Sequence, residues 1–341
     1  MLTAAVRGGP VTALAFVAML LISQSGRPAA AETTDGGFVV VAAQTQLRFW
    51  PSADDFAEHM SQRVEAAMEH SPDLIVFPED IGLPLIALGD FDIVAQAESP
   101  EAAIGAMFAL HSEAAGALIA EHGVSPQRAL WLLKAPMIAE AYQQTFAALA
   151  REHEVFIAAG SAPMVADDRP AEVFNTACVF DPEGEMHIAG RKMNLVPPFE
   201  TEDGLDFSRG KMEDYSVVEM PDATIGVIVC ADGWDPRVAE RLVEQGAEVL
   251  VQVSANPEEW GDRTRLGWLD SLFTRVQEVD VYGVYVMGVG NLLGLPFQGQ
   301  SAVVAPRDWT LHRSGFLAEA ESATDEELLV VRLDLSRVRT H

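Results

Sequence analysis

Three side chains with useful chemistry, Glu79, Lys192 and Cys230, stand where short apolar runs of the sequence end. Apolar runs of this length are typical of buried strands. In α/β sheets, side chains at strand ends leave the core and converge on one region. A carboxylate, an ammonium and a thiol that meet there could move a proton, stabilise an oxyanion and attack an electrophilic carbon.

Glu79 follows the run Leu74–Pro78, so we expect its carboxylate at the edge of an apolar layer. Partial burial raises the pKa of a carboxyl group, which suits a general base or acid near neutral pH. The alternative is a helix-capping or turn role, for Glu79 and for its neighbour Asp80 alike.

The two cysteines, Cys178 and Cys230, have different settings. Cys230 lies between the run Ile225–Val229 and a predicted helix, where a sharp turn would aim backbone N–H groups at its side chain. That geometry favours a thiolate and a tetrahedral oxyanion. Cys178 lies inside the predicted strand Thr176–Phe180, so we interpret it as a packing residue. A Cys178–Cys230 disulfide is the alternative in an exported protein with an even cysteine count.

Lys192 follows a short predicted strand, Met186–Ala189, and begins a predicted loop that contains two prolines. A surface lysine is the ordinary expectation for such a position. Beside a nucleophile, its ammonium would instead stabilise a developing oxyanion and help to hold the thiolate.

The elements that must position these residues alternate between strands and helices. Strand Phe38–Gln44, helix Ser52–His70 and strand Asp73–Phe77 come first, in an order typical of α/β proteins. Residues 81–150 are rich in Ala, Leu and Met and predict a helical insertion. Further helices and strands are predicted at Pro126–His153, Val155–Ala159, Thr224–Val229, Pro236–Gln245, Glu248–Val253, Leu266–Val279, Tyr282–Met287, Gln300–Ala305 and Leu328–Leu335. We therefore predict one layered α/β domain over residues 38–338.

The order and flanks of the three residues resemble the nitrilase, or carbon–nitrogen hydrolase, superfamily. In that family a Glu ends one strand, a Lys follows a later strand and a Cys occupies a strand-to-helix elbow. The corresponding positions here are Phe77–Glu79, Arg191–Leu195 and Val229–Asp232, followed by the further landmarks Glu200 and Ser254–Pro257. The Cys-Ala-Asp form at Cys230 is similar to the amidase and carbamoylase branches and lacks the Cys-Trp-Glu pattern of true nitrilases.

The resemblance implies a four-layer α-β-β-α sandwich of the nitrilase type, assembled as a homodimer or a higher homo-oligomer. It implies a small-molecule amide-type substrate and requires no metal or organic cofactor. In this reading Cys230 is the nucleophile and Glu79 the general base. Lys192 and the backbone N–H of Ala231 stabilise the oxyanion, and Glu200 positions Lys192 or the substrate.

Two other functions stay open on the same fold. An N-acyltransferase would pass the acyl group to an amine instead of water. A catalytically silent protein would bind a ligand without turning it over. The joint presence of Glu79, Lys192 and Cys230 favours a thiol hydrolase that cleaves a non-peptide amide bond.

The N-terminus predicts export. Arg7 precedes the apolar stretch Val11–Ile22, and the small residues Ala29–Ala31 follow, in the pattern of a secretory signal peptide. The stretch is shorter than the roughly 20 residues of a membrane span. We expect residues 1–31 to be removed, giving a periplasmic or extracellular protein without stable membrane insertion. An uncleaved membrane anchor is the alternative.

Charge and histidine spacing exclude two classes of partner. The chain has 22 Lys and Arg against 51 Asp and Glu, a formal net charge of −29. Such a surface repels phosphate backbones and anionic lipid head groups, which argues against a nucleic-acid partner. The eight histidines show no metal-ligand spacing, so we expect no metal site.

Overall fold

Two groups of β-strands that share their first strand form the centre of the computed structural model, which describes residues 37–339. The predicted signal peptide, residues 1–31, lies outside the described residues. The strands are β1 Phe38–Leu47, β2 Leu74–Val76, β3 Phe156–Ala166, β4 Arg169–Phe180, β5 Met186–Arg191, β6 Val217–Glu219, β7 Thr224–Val229, β8 Val249–Ala255, β9 Tyr282–Leu292, β10 Leu295–Phe297, β11 Ala302–Val304, β12 Phe316–Glu319 and β13 Glu327–Leu333.

Helices of very different length connect and cover these strands. The α-helices are α1 Ala53–Met68, α2 Phe91–Ala95, α3 Pro100–Leu110, α4 Ser112–His122, α5 Pro126–His153, α6 Pro236–Glu244, α7 Asp262–Leu269, α8 Leu272–Val279 and α9 Ser336–Arg339. Short 3-10 helices lie at Leu83–Ala87, Met212–Asp214, Cys230–Trp234, Arg307–Trp309 and Leu311–Arg313.

Strand β1 changes its neighbour halfway along its length. Val40–Ala42 pair in parallel with β2, whereas Thr45–Leu47 pair in parallel with β9. From β1 the order continues through β2, β3, β4 and β5 on one side and through β9, β8, β7 and β6 on the other. Strands β7, β8 and β9 are also parallel to one another. Strands β2, β7 and β8 therefore run in the same direction as β1, and their carboxyl ends lie at the same end of the sheets.

Three buried apolar layers separate the sheets and helices. Val41 and Ala43 of β1 face the layer that holds residues of α1 and α5, while Val40 and Ala42 face the opposite layer. This alternation is the ordinary two-residue period of a strand. The opposite layer lies between the two sheets and includes valines of β7, β8 and β9. A third layer packs the far side of that second sheet against α6 and α8. The molecule therefore has the predicted order helix, sheet, sheet, helix.

The predicted helical segment at 81–150 is helical in the structure, from the 3-10 helix at Leu83–Ala87 through α5. In α5 the ring of Phe146 packs 5.3 Å from the ring of Phe77. Phe77 directly precedes Pro78 and Glu79, so this contact helps to fix the strand end that carries Glu79. Among the described helices, none alone is long and apolar enough to cross a membrane; α3 and α4 meet the criterion only as a pair, which is bent by 91°.

Several element predictions were wrong in their bounds. The strands predicted at Val155–Ala159 and Tyr282–Met287 extend to Ala166 and Leu292. The predicted helix Leu266–Val279 is two helices, α7 and α8, because Ser271 has non-helical backbone angles and its hydroxyl donates to the Trp268 carbonyl. The predicted strand at Thr176 begins earlier, at Arg169. Its first four residues include Arg169, Pro170 and Glu172 and carry no strand signal, but Arg169 and Val173–Asn175 pair with β3 through the backbone. Strands β6, β10 and β12 are too short to show a period and were missed.

Candidate active site

Glu79, Lys192 and Glu200 form a buried ion cluster. The Lys192 Nζ lies 2.8 Å from Glu79 Oε1 and 2.7 Å from Glu200 Oε2. Each of these three residues is at most 2% exposed. A backbone N–H also donates to each carboxylate: that of Ala255, at the end of β8, to Glu79 Oε2, and that of Val196 to Glu200 Oε2, both at 2.9 Å. Three residues singled out from the sequence are thus brought together.

Asn175 completes this cluster and was missed as a site residue. Its Nδ2 lies 2.9 Å from Glu79 Oε1 and 3.4 Å from Glu200 Oε1. It occupies β4, two strands from β2, and is 1% exposed. The sequence did offer a signal for Asn175, an amide at the start of an otherwise apolar run. A buried amide requires hydrogen-bond partners, so its presence there indicates polar groups nearby.

Cys230 faces the cluster from a tight turn at the end of β7. Its φ is 44°, in the left-handed region that side chains other than glycine seldom adopt, and it opens a 3-10 helix that leads into α6. Such strained turns are frequent at functional positions. The Cys230 carbonyl accepts from Gln252 Nε2 at 2.9 Å, which ties the turn to β8. The thiol of Cys230 lies close enough to Glu79 that the two groups shift each other's pKa.

Burial and mutual charge shift the pKa values of these groups. Burial, the larger cause, and the negative charge of Glu200 raise the pKa of Glu79, against the lowering influence of Lys192. Burial and Glu79 raise the pKa of the Cys230 thiol well above its usual range. For Lys192 burial works downward, but Cys230, Glu79, Glu200 and Asp80 together raise its pKa well above normal.

The expectation that the turn itself favours a thiolate is therefore wrong for the resting site. A thiol 5% exposed and beside a carboxylate holds its proton, since both burial and like charge disfavour the anion. A base must remove that proton, and Glu79 is the carboxylate in contact.

Asp232 holds the loop after Lys192 against the turn after Cys230. Its Oδ2 and Oδ1 accept the backbone N–H groups of Met193 at 2.8 Å and Asn194 at 2.7 Å. The Tyr215 hydroxyl donates to the same carboxylate and also accepts from the Val229 N–H. Burial raises the pKa of Asp232, while these donors oppose the rise. The sequence showed Asp232 only as part of a motif, without this role.

Cys178 is a buried packing residue, as predicted. Both cysteines are free thiols, so the alternative of a Cys178–Cys230 disulfide is excluded. Cys178 is 1% exposed, and burial raises its pKa to about 12.

A cavity of about 600 Å³ opens beside the turn and is lined by Cys230 and Ala231. Trp234 and Trp268, whose rings meet edge to face at 4.6 Å, form an apolar part of its wall. Arg263 also lines it. A cavity of this size and mixed lining suits a small organic ligand. Within residues 37–339 no group of His, Cys, Asp and Glu is arranged to hold a metal ion.

Comparison with known proteins decides the family. The sequence profile described as carbon-nitrogen hydrolase matches residues 40–341. The chain belongs to the carbon–nitrogen hydrolase family. The family predicted from Glu79, Lys192 and Cys230 is thereby confirmed.

Curated relatives of this family member match over part of their length. An (R)-stereoselective amidase of Pseudomonas sp. is 27% identical over 58% of this chain and 64% of its own. A formamidase of Bacillus cereus is 30% identical over 40% of this chain and 41% of its own. A nitrilase of Pyrococcus abyssi is 28% identical over 56% of this chain and 64% of its own. The chain thus spans less than two thirds of the length of these relatives.

Solved structures confirm the predicted nitrilase-type fold of this carbon–nitrogen hydrolase. The carbon-nitrogen hydrolase of Helicobacter pylori has a TM-score of 0.60 at 22% identity, over 89% of this chain and 92% of its own. An amidase from Nesterenkonia sp. AN1, in complex with butyramide, has a TM-score of 0.60 at 19% identity, over 91% and 97% of the two chains.

Replacing Asp232 tests the link between loop and turn. Two backbone N–H groups now donate to the two oxygens of Asp232, whereas an asparagine side chain offers only one acceptor oxygen. The variant therefore loses one hydrogen bond to a charged group, and such bonds contribute about 1.5–3 kcal/mol each. We therefore expect Asp232→Asn to lower kcat/KM for an amide by roughly 10- to 100-fold. The exposed Asp270→Asn is the matched control, and equal rates in the two variants would contradict this role.

Proposed function

We propose that this protein hydrolyses the amide bond of a small molecule through a covalent acyl-enzyme on Cys230. The observation that carries the proposal is that one carboxylate, Glu79, lies 2.8 Å from the Lys192 ammonium and close enough to Cys230 to raise the pKa of its thiol. Cys230 lines the cavity, and the base and the cation lie buried behind it. Membership of the family and the amidase and formamidase relatives support the same reaction class.

In the acylation half-reaction, Glu79 takes the proton of the Cys230 thiol as the sulfur attacks the amide carbon. The C–S bond forms, and the carbonyl electron pair moves onto oxygen. The Lys192 ammonium and the Ala231 N–H stabilise that oxyanion. When the pair returns, the C–N bond breaks and Glu79 passes its proton to the departing amine.

In the deacylation half-reaction, water attacks the thioester and gives a proton to Glu79. Collapse of the second oxyanion releases the carboxylic acid, and the proton on Glu79 returns to the Cys230 sulfur. Glu200 supports both steps as a positioning residue, because its carboxylate holds the Lys192 ammonium at 2.7 Å. The raised pKa of Glu79 suits a group that alternates between base and acid near neutral pH.

The cavity supports a compact substrate that combines an apolar part with a polar end. Trp234 and Trp268 offer an apolar wall, whereas Arg263 and Glu258 offer charged groups. A test panel should therefore contain neutral aliphatic amides, aromatic amides, and amides that carry a carboxylate or an ammonium.

Removing the sulfur tests the nucleophile. We expect Cys230→Ala to lower kcat/KM by about 10⁴-fold or more, as removal of a nucleophile that acts together with its base does. Intact-protein mass spectrometry should show an acyl adduct on the wild-type protein and none on this variant. Cys178→Ala is the matched control, because it removes the other buried thiol and should keep both adduct and turnover.

Turnover by Cys230→Ala would remove the nucleophile assignment. An adduct that passes to an added amine and not to water would identify an N-acyltransferase. Absence of both adduct and turnover across the panel would identify a silent binding protein.

The acid side of the pH–rate profile tests Glu79 as the base. The base must be ionised to act, and its pKa is raised, so kcat/KM should fall as the pH drops through that raised pKa. The midpoint should lie above the value of about 4.3 that is usual for glutamate. Glu79→Gln should lack turnover, and Glu121→Gln, at an exposed site, should keep the wild-type profile. A midpoint at the ordinary glutamate value would contradict a buried base.

We also propose that the protein is exported, on the strength of the leader-like pattern of residues 1–31. When the full chain is produced in a bacterial host, the intact mass of the exported protein should correspond to a chain that begins at Glu32. A full-length mass in the membrane fraction would support the anchor alternative.

A further inference from the structure

Three carboxyl groups share one ammonium in the cluster behind Cys230. Glu79, Asp80 and Glu200 are each at most 4% exposed, and Lys192 is the cation that faces them. Full ionisation of the three carboxyls would leave two negative charges without a counter-charge in a site shielded from water. Because uncompensated buried charge is strongly unfavourable, at least one of these carboxyl groups must hold a proton.

The contacts distinguish Asp80 from the other two acids. Glu79 and Glu200 each bond directly to the Lys192 ammonium and accept a backbone N–H. Asp80 forms no ion pair with any residue that the structure describes. Its carboxylate has one described hydrogen-bond contact, 3.4 Å from Asn175 Nδ2, which is already closer to Glu79. Asp80 is thus the carboxyl whose negative charge receives the least compensation.

The amide of Asn175 adds a second, independent observation. Its Oδ1 is a buried acceptor that meets no donor within residues 37–339. Buried acceptors of this kind normally have a partner. A proton on Asp80, whose Oδ1 lies 3.4 Å from the Nδ2 of the same amide, would add a hydrogen-bond donor next to a cluster of acceptors.

We propose that Asp80 is a positioning residue that carries a proton throughout the catalytic cycle and thereby leaves the negative charges of the cluster to Glu79 and Glu200. The inference rests on the proposed function, in which Glu79 must be ionised to accept the Cys230 proton. Asp80 touches neither substrate nor sulfur in this scheme, and its own proton is not transferred.

The charged groups around Asp80 agree with this assignment. Burial is the largest cause that raises the pKa of Asp80 well above its usual value. Glu79, the preceding residue, and Glu200, on the loop after β5, raise it further, while Lys192 on the same loop lowers it. From β3 the neighbouring element contributes a neutral group, the Ser161 hydroxyl, which accepts the Asp80 backbone N–H at 2.9 Å.

Ionisation of Asp80 at alkaline pH would place a new negative charge next to Glu79. The thiolate and the oxyanion that form during acylation would both be opposed by that charge. Activity should therefore fall on the alkaline side as Asp80 loses its proton, while Lys192, whose pKa is raised, is still charged.

Asp80→Asn is the decisive variant, because its amide resembles the protonated acid and cannot ionise. Asp80 has a φ of 60°, and asparagine tolerates this left-handed backbone as well as aspartate does. We expect the alkaline decline of kcat/KM to occur at a pH that is higher by at least about one unit in the variant than in the wild type. The ratio of variant to wild-type activity should therefore grow about tenfold per pH unit across the wild-type limb. Asp270→Asn, at an exposed site, should keep the wild-type limb.

An alkaline limb that is the same in Asp80→Asn and in the wild type overturns the proposal. A second measurement on the unaltered protein covers the case in which the variant does not fold. With ¹³C-labelled aspartate carboxyls, carbon NMR at pH 7 should show a protonated aspartate that is still present in Asp232→Asn. Its absence overturns the proposal, whereas turnover by Cys230→Ala would overturn the proposed function instead.

Discussion

A single buried ammonium holds the site together. Lys192 is enclosed at 2% exposure between the carboxylates of Glu79 and Glu200. Removing one partner of a buried ion pair typically costs about 3–5 kcal/mol, because the remaining charge is left without compensation. The loop after β5 therefore depends on both acids for its stability.

The sheets bring the partners of this ammonium from distant parts of the chain to one edge. Glu79 follows β2 and Cys230 follows β7, and the N–H that binds Glu79 comes from Ala255 at the end of β8. These strands belong to different halves of the fold, which meet at β1. The change of neighbour within β1 thus sets the distance between base and nucleophile. Asp232 then locks the loop to the turn from the other side.

Much of this arrangement could be read from the sequence, because apolar runs mark strand ends and the residue types at those ends limit the chemistry. The flanks of Glu79, Lys192 and Cys230 were sufficient to predict the family. The roles of Asn175 and Asp232 were not predictable, since their partners are set by strand pairing across many residues. The protonated resting state of Cys230 likewise depends on burial and on a neighbour that is remote in sequence. The break between α7 and α8 was not predictable, because a single serine, Ser271, within an otherwise helical pattern does not by itself indicate a helix end.

The pairing of β13 with the first half of β1 has a consequence for biosynthesis. Phe38 lies opposite Leu333, so the earliest strand of the domain waits for one of the last before its outer side is covered. Until then a row of unpaired backbone groups on an apolar strand is open to other chains, which is a known route to aggregation. A nascent molecule thus passes through a vulnerable interval that lasts for nearly the whole of its translation.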